Sequence, residues 1–198
     1  CPNRVARLAR MAGIKAQIGY KRRSGKYGGK PSIAVDNTLD RQFDVTAPDT
    51  AWVTDITYIR TTEGFVYLAV VIDLYSRRVV GWSMQSRQMT DVVLQALLMA
   101  TWRRKPREKV LIHSDQGSQF TSWDFTKVLS DAGVQISMDG KGAWRDNVVV
   151  ERFWRSIKYE EVYIHAYTNV REARAAIGRY ILFFNSRRPH RSLDGQTP

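Results

Sequence analysis

Residues 51–85, AWVTDITYIRTTEGFVYLAVVIDLYSRRVVGWSMQ, decide the fold. Trp52, Val53, Ile56, Tyr58 and Ile59 are β-branched or aromatic. Gly64 marks a turn into FVYLAVVIDLYS, and a second turn leads into RRVVGWSM. Three strands joined this tightly make an antiparallel meander. Downstream, TDVVLQALLMATWRR sets Val93, Leu94, Leu97 and Leu98 at helical spacing, and Pro106 closes that helix. VLIHSD is a short apolar run suited to a buried parallel strand. A helix from about Ser122 to Asp131 ends at Gly133, and VQISM is a further brief strand. Gly140 and Gly142 make Asp139 to Trp144 a mobile loop. Asp146 or Asn147 can cap the long helix that follows, and Asn169 with Glu172 opens the last one. That last helix places Ala173, Ile177, Tyr180, Ile181 and Phe184 on one face. The order βββαβαβαα is that of an α/β protein, a mixed five-stranded sheet flanked by helices.

Upstream of the meander the pattern dissolves. Residues 1–20 hold a short basic helix, with Val5, Leu8 and Met11 at helical spacing, Arg4, Arg7 and Arg10 between them, and Gly13 as a stop. Residues 21–48 contain three Gly and two Pro and read as an extended basic linker, which sets the start of the folded core near Asp49 and its end at residue 198. The net charge is +12, unevenly spread. Residues 1–45 carry ten Lys/Arg against three acids, residues 46–150 twelve against eleven, and residues 151–198 nine against five. A near-neutral middle with basic flanks suits a core that meets a polyanion through its ends, and nucleic acid is the common polyanion. Cys1 is the only cysteine, which excludes internal disulfides and thiolate metal clusters, and His113, His165 and His190 are not spaced as zinc ligands. The longest uncharged apolar run, Phe65 to Ile72, is far short of a bilayer span, so the expectation is a soluble cytoplasmic protein with no membrane partner.

Phosphodiester cleavage at neutral pH needs an activated water or hydroxyl, charge relief at phosphorus and a stabilised leaving oxygen. Two divalent ions held by converging carboxylates supply all three. Three acids of the core sit where the inferred topology lets them converge. Asp55 lies within the first strand in WVTDITYI, an apolar setting in which an unpaired carboxylate is expensive. Asp115 ends the fourth strand in VLIHSDQGSQF, at the carboxyl edge where open α/β sheets build sites, and becomes a neighbour of Asp55 if that strand pairs beside the first. Glu151 lies on the helix after the Gly-containing loop, with Asn147, Arg155 and Lys158 near its face at offsets of four and seven residues. Each acid also has an ordinary reading: Asp55 as a hydrogen-bonded strand residue, Asp115 as an Asx-turn former, Glu151 as a solvated helix residue. Asp73, in VIDLYS, competes with Asp55, as a turn residue or as a support for a ligand.

With these segments in view, the chain resembles the integrase-type catalytic core shared by retroviral integrases and bacterial insertion-sequence transposases, specifically the second-frame product of two-frame insertion elements. AWVTDITYI, FVYLAVVIDLYSRRVVGW, HSDQGSQF, DNVVVERFWRSIKYE and FNSRRPHRSL carry the resemblance in order across residues 51–193. The 35 residues between Asp115 and Glu151 match the family's Asp-Asp-Glu spacing. Val148 stands where the family commonly has Ala, and MDGKGAWRD departs from the usual loop, but both leave the acids intact. The resemblance implies an RNase H-like fold with Asp55, Asp115 and Glu151 as ligands of two Mg²⁺ ions, for which Mn²⁺ can substitute. It further implies cleavage at transposon ends, strand transfer into target DNA, at least a dimer in the synaptic complex, and a nucleoid-associated bacterial setting. CPNRVARLARMAGIKA is similar to the end of an upstream helix-turn-helix region, which implies that terminal-repeat recognition lies largely outside these residues.

Further residues are candidate DNA contacts. Lys141, Trp144 and Arg145 precede Glu151 and can hold distorted DNA, or Trp144 can simply tuck onto the core. Arg187, Arg188, His190 and Arg191 follow the last helix as phosphate contacts or as a charged end. His113 points to the same side of its strand as Asp115, as a support for the site or as a structural histidine. The rival readings are a plain RNase H-like nuclease and a DNA-binding protein that keeps the fold without strand transfer.

Overall fold

A computed structural model of the chain describes residues 2–14, 36–40, 42–87, 90–115, 120, 129, 134–138 and 147–198. Along them run α1 (Pro2–Met11), β1 (Ala51–Thr61), β2 (Gly64–Asp73), β3 (Val79–Gln85), α2 (Thr90–Arg104), β4 (Leu111–Ser114), β5 (Gln135–Met138), α3 (Val148–Glu160) and α4 (Val170–Ser186). The helix expected over Ser122–Asp131 and the loop expected over Asp139–Trp144 lie outside the described residues, as does the linker up to residue 35.

The five strands form one sheet in the order β3-β2-β1-β4-β5. β1, β2 and β3 make the expected antiparallel meander, whereas β4 runs parallel to β1 and β5 parallel to β4. β1 is therefore the central strand, with neighbours on both sides at Trp52 and Val53. Strand alternation sends its side chains to opposite faces. Val53 and Ile59, with Val66, Leu68, Val70 and Ile72 of β2, pack under Phe153 and Ile157 of α3 and Ile177 and Phe184 of α4. Trp52, Ala69, Val71 and Val80 pack on the other face against Val92, Val93, Ala96, Leu97 and Ala100 of α2.

The face that α2 buries differs from the one its large apolar residues suggest. Leu98 is exposed, and Ala96 and Ala100 are buried in its place. The reason is Gly81 of β3, where a Cβ would lie 2.1 Å from the Ala96 carbonyl oxygen. Helix and strand backbones approach so closely there that only small side chains fit between them.

One boundary also shifts. Leu39 is only 3% exposed and belongs to the cluster under α3 and α4, with Phe43 and Val45 packed against it, so the core reaches back beyond Asp49. An extended segment can bury single side chains without any period, which is why it reads as linker in sequence. α1 ends as expected at Gly13, whose φ of +69° accompanies bonds from the Gly13 and Ile14 amides to the carbonyls of Arg10 and Ala9. Its Val5, Leu8 and Met11 are exposed.

Candidate active site

β1 and β4 meet in parallel with Val53 opposite His113. Carried on by two residues along each strand, this register sets Asp115, the first residue after β4, level with Asp55. Asp55 is half-buried on the face covered by α3, and Asp115 is exposed. Asp55 Oδ2 accepts a hydrogen bond from Trp154 Nε1 of α3 at 2.8 Å, and Oδ1 accepts one from the Ile56 amide at 2.7 Å. Burial raises the Asp55 pKa from 3.8 to about 7 against the opposing effect of the Trp154 bond, and the charges of Asp115 and, more weakly, Glu151 add to the rise. Three carboxylates thus share one electrostatic neighbourhood.

They do not share it equally. Glu151 is exposed, four positions into α3, and among the described residues no three His, Cys, Asp or Glu side chains stand close enough to ligate one ion. The two strand aspartates are brought together by the sheet, while Glu151 hangs from the helix above them. Asp73 is fully buried and engaged elsewhere. Its Oδ1 accepts from the Asp49 amide, and its Oδ2 accepts from the amide and hydroxyl of Ser76, so it holds the β2–β3 turn.

Lys158 lies near the acids. Burial lowers its pKa, while Glu151 and Asp55 raise it, and its Nζ sits 5.8 Å from the centre of the Tyr58 ring. Arg155 is exposed on the same helix. Asn147 differs from expectation: it occupies the N-cap position of α3, but its side chain makes no capping bond and is buried rather than presented to a ligand. With φ −113° and ψ 26° its backbone is not extended, so the side chain cannot fold back onto the first helical amides. Asn169 shows the contrast: with φ −147° and ψ 174°, its Oδ1 accepts from the Glu172 amide at 2.9 Å. Glu172 in turn reaches the amide and hydroxyl of Thr168, one residue earlier than a capping box requires. Lys141, Trp144, Arg145 and Asp146 lie outside the described residues.

The basic tail divides. Arg187 and Arg191 are exposed. Arg188 makes a bidentate pair with Glu160 at the end of α3, Nε to Oε2 at 2.8 Å and Nη2 to Oε1 at 2.6 Å, and the Tyr180 hydroxyl donates to the same carboxylate. His190 is buried with Nε2 3.0 Å from the Phe184 carbonyl, an acceptor, which makes Nε2 the protonated nitrogen. His113 is buried, with Nδ1 3.0 Å from Ser137 Oγ of β5, and that hydroxyl also accepts from the Leu39 amide. Two residues escaped the sequence reading. Trp154, in ERFWRS, had its period as the available signal, since it stands four positions after the apolar Val150 and shares its sheet-facing side of the helix. Asn185 has no such signal. It lies in the quoted tail, and its amide both donates to and accepts from the backbone of Val79, docking α4 on the edge strand.

The chain matches the integrase core domain family over residues 45–143, and a second family of the same description over residues 132–198. It is 37% identical over 197 residues to the transposase for insertion sequence element IS904 of Lactococcus lactis subsp. lactis (strain IL1403), covering 98% of this chain and 78% of that protein. It is also 37% identical over 195 residues to transposase InsF for insertion sequence IS3A of Escherichia coli (strain K12), covering 98% and 68%. Among solved structures, the catalytic core domain of HTLV-2 integrase in complex with magnesium, in its trimeric form, superposes with a TM-score of 0.60 at 20% identity over 76% of this chain and 93% of that one. A chain of the simian T-cell lymphotropic virus intasome gives 0.62 at 17% over 72% and 50%. The sheet and its flanking helices are those of the RNase H-like retroviral integrase cores. No helix among the described residues is long and apolar enough to cross a membrane.

Proposed function

The chain belongs to the insertion-sequence transposases built on an integrase core domain, enzymes of DNA transposition, and on that premise we propose that Asp55, Asp115 and Glu151 hold the divalent ions with which it cuts and joins DNA. The observation that supports the assignment is the parallel β1–β4 register with Val53 opposite His113, which, carried on by two residues, brings Asp55 level with Asp115. The donor set suits a hard cation. It is all carboxylate, and Asp55 is held in surroundings that disfavour its charge unless a cation arrives. Two Mg²⁺ ions, or Mn²⁺ in their place, would supply Lewis acidity at the phosphodiester and a lowered pKa for the attacking water.

The protein's own part is positioning. The Trp154 and Ile56 N–H groups fix the plane of the Asp55 carboxylate, each occupying one lone pair and leaving one on each oxygen. α3 carries Glu151 and, one and two turns on, Arg155 and Lys158, whose charges suit the phosphates flanking the scissile bond. Hydrolysis of one phosphodiester frees a 3′-hydroxyl, and that hydroxyl attacks a second phosphodiester. Each displacement exchanges one P–O bond for another, so the protein need form no covalent bond to DNA. The exposed Arg187 and Arg191, and Lys141, Trp144 and Arg145, are further candidate contacts to the terminal repeats and to target DNA, in a synapse of at least two protomers. A plain nuclease or a DNA-binding protein without chemistry is not favoured, because the relatives are transposases. The test is incubation with labelled transposon-end DNA and Mg²⁺. Strand-transfer products that vanish in each of Asp55→Asn, Asp115→Asn and Glu151→Gln support the assignment, and products that survive all three changes refute it.

A further inference from the structure

At the end of α3 furthest from Glu151, aromatic rings stand in water. Tyr58 of β1 is 63% exposed and Tyr159 of α3 62%, with Phe65 of β2 and Tyr163 also exposed. They pair edge to face, Tyr58 with Phe65 at 5.5 Å and Tyr159 with Tyr163 at 5.3 Å. The two pairs are tied together through Lys158, the neighbour of Tyr159 on α3, whose Nζ lies 5.8 Å from the centre of the Tyr58 ring. Lys158 also links the rings to the acids, since the charges of Glu151 and Asp55 act on its ammonium. Four large rings left in water at one place are costly unless something covers them.

We propose that Tyr58, Phe65, Tyr159 and Tyr163 form a stacking platform for unpaired nucleotides of the DNA strand whose phosphate lies at the carboxylates. The inference rests on the proposed function and names the form of DNA that the site takes. Charge selects this occupant: Lys158 lies over Tyr58, Arg155 is exposed four positions before Tyr159 on the same helix, and a polyanion that also offers flat faces satisfies both. Spacing agrees. Glu151 and Tyr159 are eight residues apart on one helix, about 12 Å at ~1.5 Å per residue, or three to four stacked nucleotides at ~3.4 Å each. Paired bases cannot present their faces to protein rings, so a strand on the platform has left its duplex, and the cost of unpairing is offset by stacking.

The experiment compares binding of the full chain to a blunt synthetic duplex and to the same duplex with three unpaired nucleotides at one end, carrying 2-aminopurine among them. Wild type should bind the frayed DNA about tenfold tighter and quench the 2-aminopurine, as expected for stacking on one or two rings. Tyr58→Ala with Tyr159→Ala should abolish both the preference and the quenching while keeping blunt-duplex affinity, and Tyr58→Phe with Tyr159→Phe should restore them. Equal affinity of wild type for the two DNAs overturns the platform, and so does a double alanine variant that retains the preference. A fall in oligomeric state with no change in the preference would assign the rings to a second copy of the chain instead. Because the binding arm needs no chemistry, the platform can fail while the triad variants still lose strand transfer, and the triad can fail while the platform stands.

Discussion

The two faces of the sheet are held by different physics. Against α2 the contact is dominated by close apolar packing, with Ala96 and Ala100 drawn onto Gly81 until no Cβ fits between them, beside the polar bonds of Ser83 to Gln95 and Arg104 to Asp49. Against α3 and α4 an apolar layer is supplemented by directional polar bonds: Trp154 to Asp55, Asn185 to Val79, and Arg188 with Tyr180 to Glu160. A close-packed face fixes a distance, whereas hydrogen bonds also fix a direction. The difference teaches where accuracy is needed. On the proposed function, the α2 face has only to hold the sheet, while the other must aim one carboxylate and carry another.

The sharpest way to break this contrast is Gly81→Ala. One methyl forced against the Ala96 carbonyl should cost about 3 kcal/mol or more, read as a lowered midpoint in urea; a loss below roughly 1 kcal/mol would mean that β3 and α2 separate freely. On the polar side, Asn185→Ala removes two bonds and strands the backbone groups of Val79, for about 2–3 kcal/mol. The same denaturation series reads it. Trp154→Phe keeps an aromatic ring but removes the N–H together with part of the indole, so it should cost about 1–2 kcal/mol of stability at this buried position while Mg²⁺ affinity, measured by calorimetry, falls about tenfold. Unchanged affinity would reduce Trp154 to packing.

The smallest effect is electrostatic. Asp55 ionises at 3.8 when unfolded but at about 7 when folded, so in metal-free protein its contribution is harmless at low pH and turns against folding as pH rises through that window. Asp55→Asn should therefore leave the melting temperature unchanged at pH 4 and raise it at pH 8. Water at this half-open site screens the effect to about 1 kcal/mol, roughly 2–4 °C for a chain of this size. Saturating Mg²⁺ should stabilise the wild type at pH 8 and not the variant.

Much of this was legible in the residues. The meander is written in β-branched runs broken at Gly64, and Asp55 and Asp115 stand out as candidates by lying at the middle and end of apolar strands, joined to Glu151 only through the family resemblance. The rest depended on contacts that no period encodes. The buried face of α2 is chosen by a glycine on another strand, and Leu39 is buried from a segment with no pattern. Asn147 and Asn169 look alike in sequence and differ in backbone angles, so only one caps. Arg188 and His190 look like phosphate contacts because charge is visible in a sequence, but their partners Glu160 and the Phe184 carbonyl are not.

The central claim is that three acids act on one pair of ions, although only two are side by side here. A crystal structure of the chain with transposon-end DNA and Mg²⁺ tests it most directly. The account predicts two ions between Asp55 and Asp115, with Glu151 brought down onto one of them and the scissile phosphate against both. Ions held without Asp55 or Asp115, or a Glu151 carboxylate still in solvent with DNA and metal bound, would contradict it.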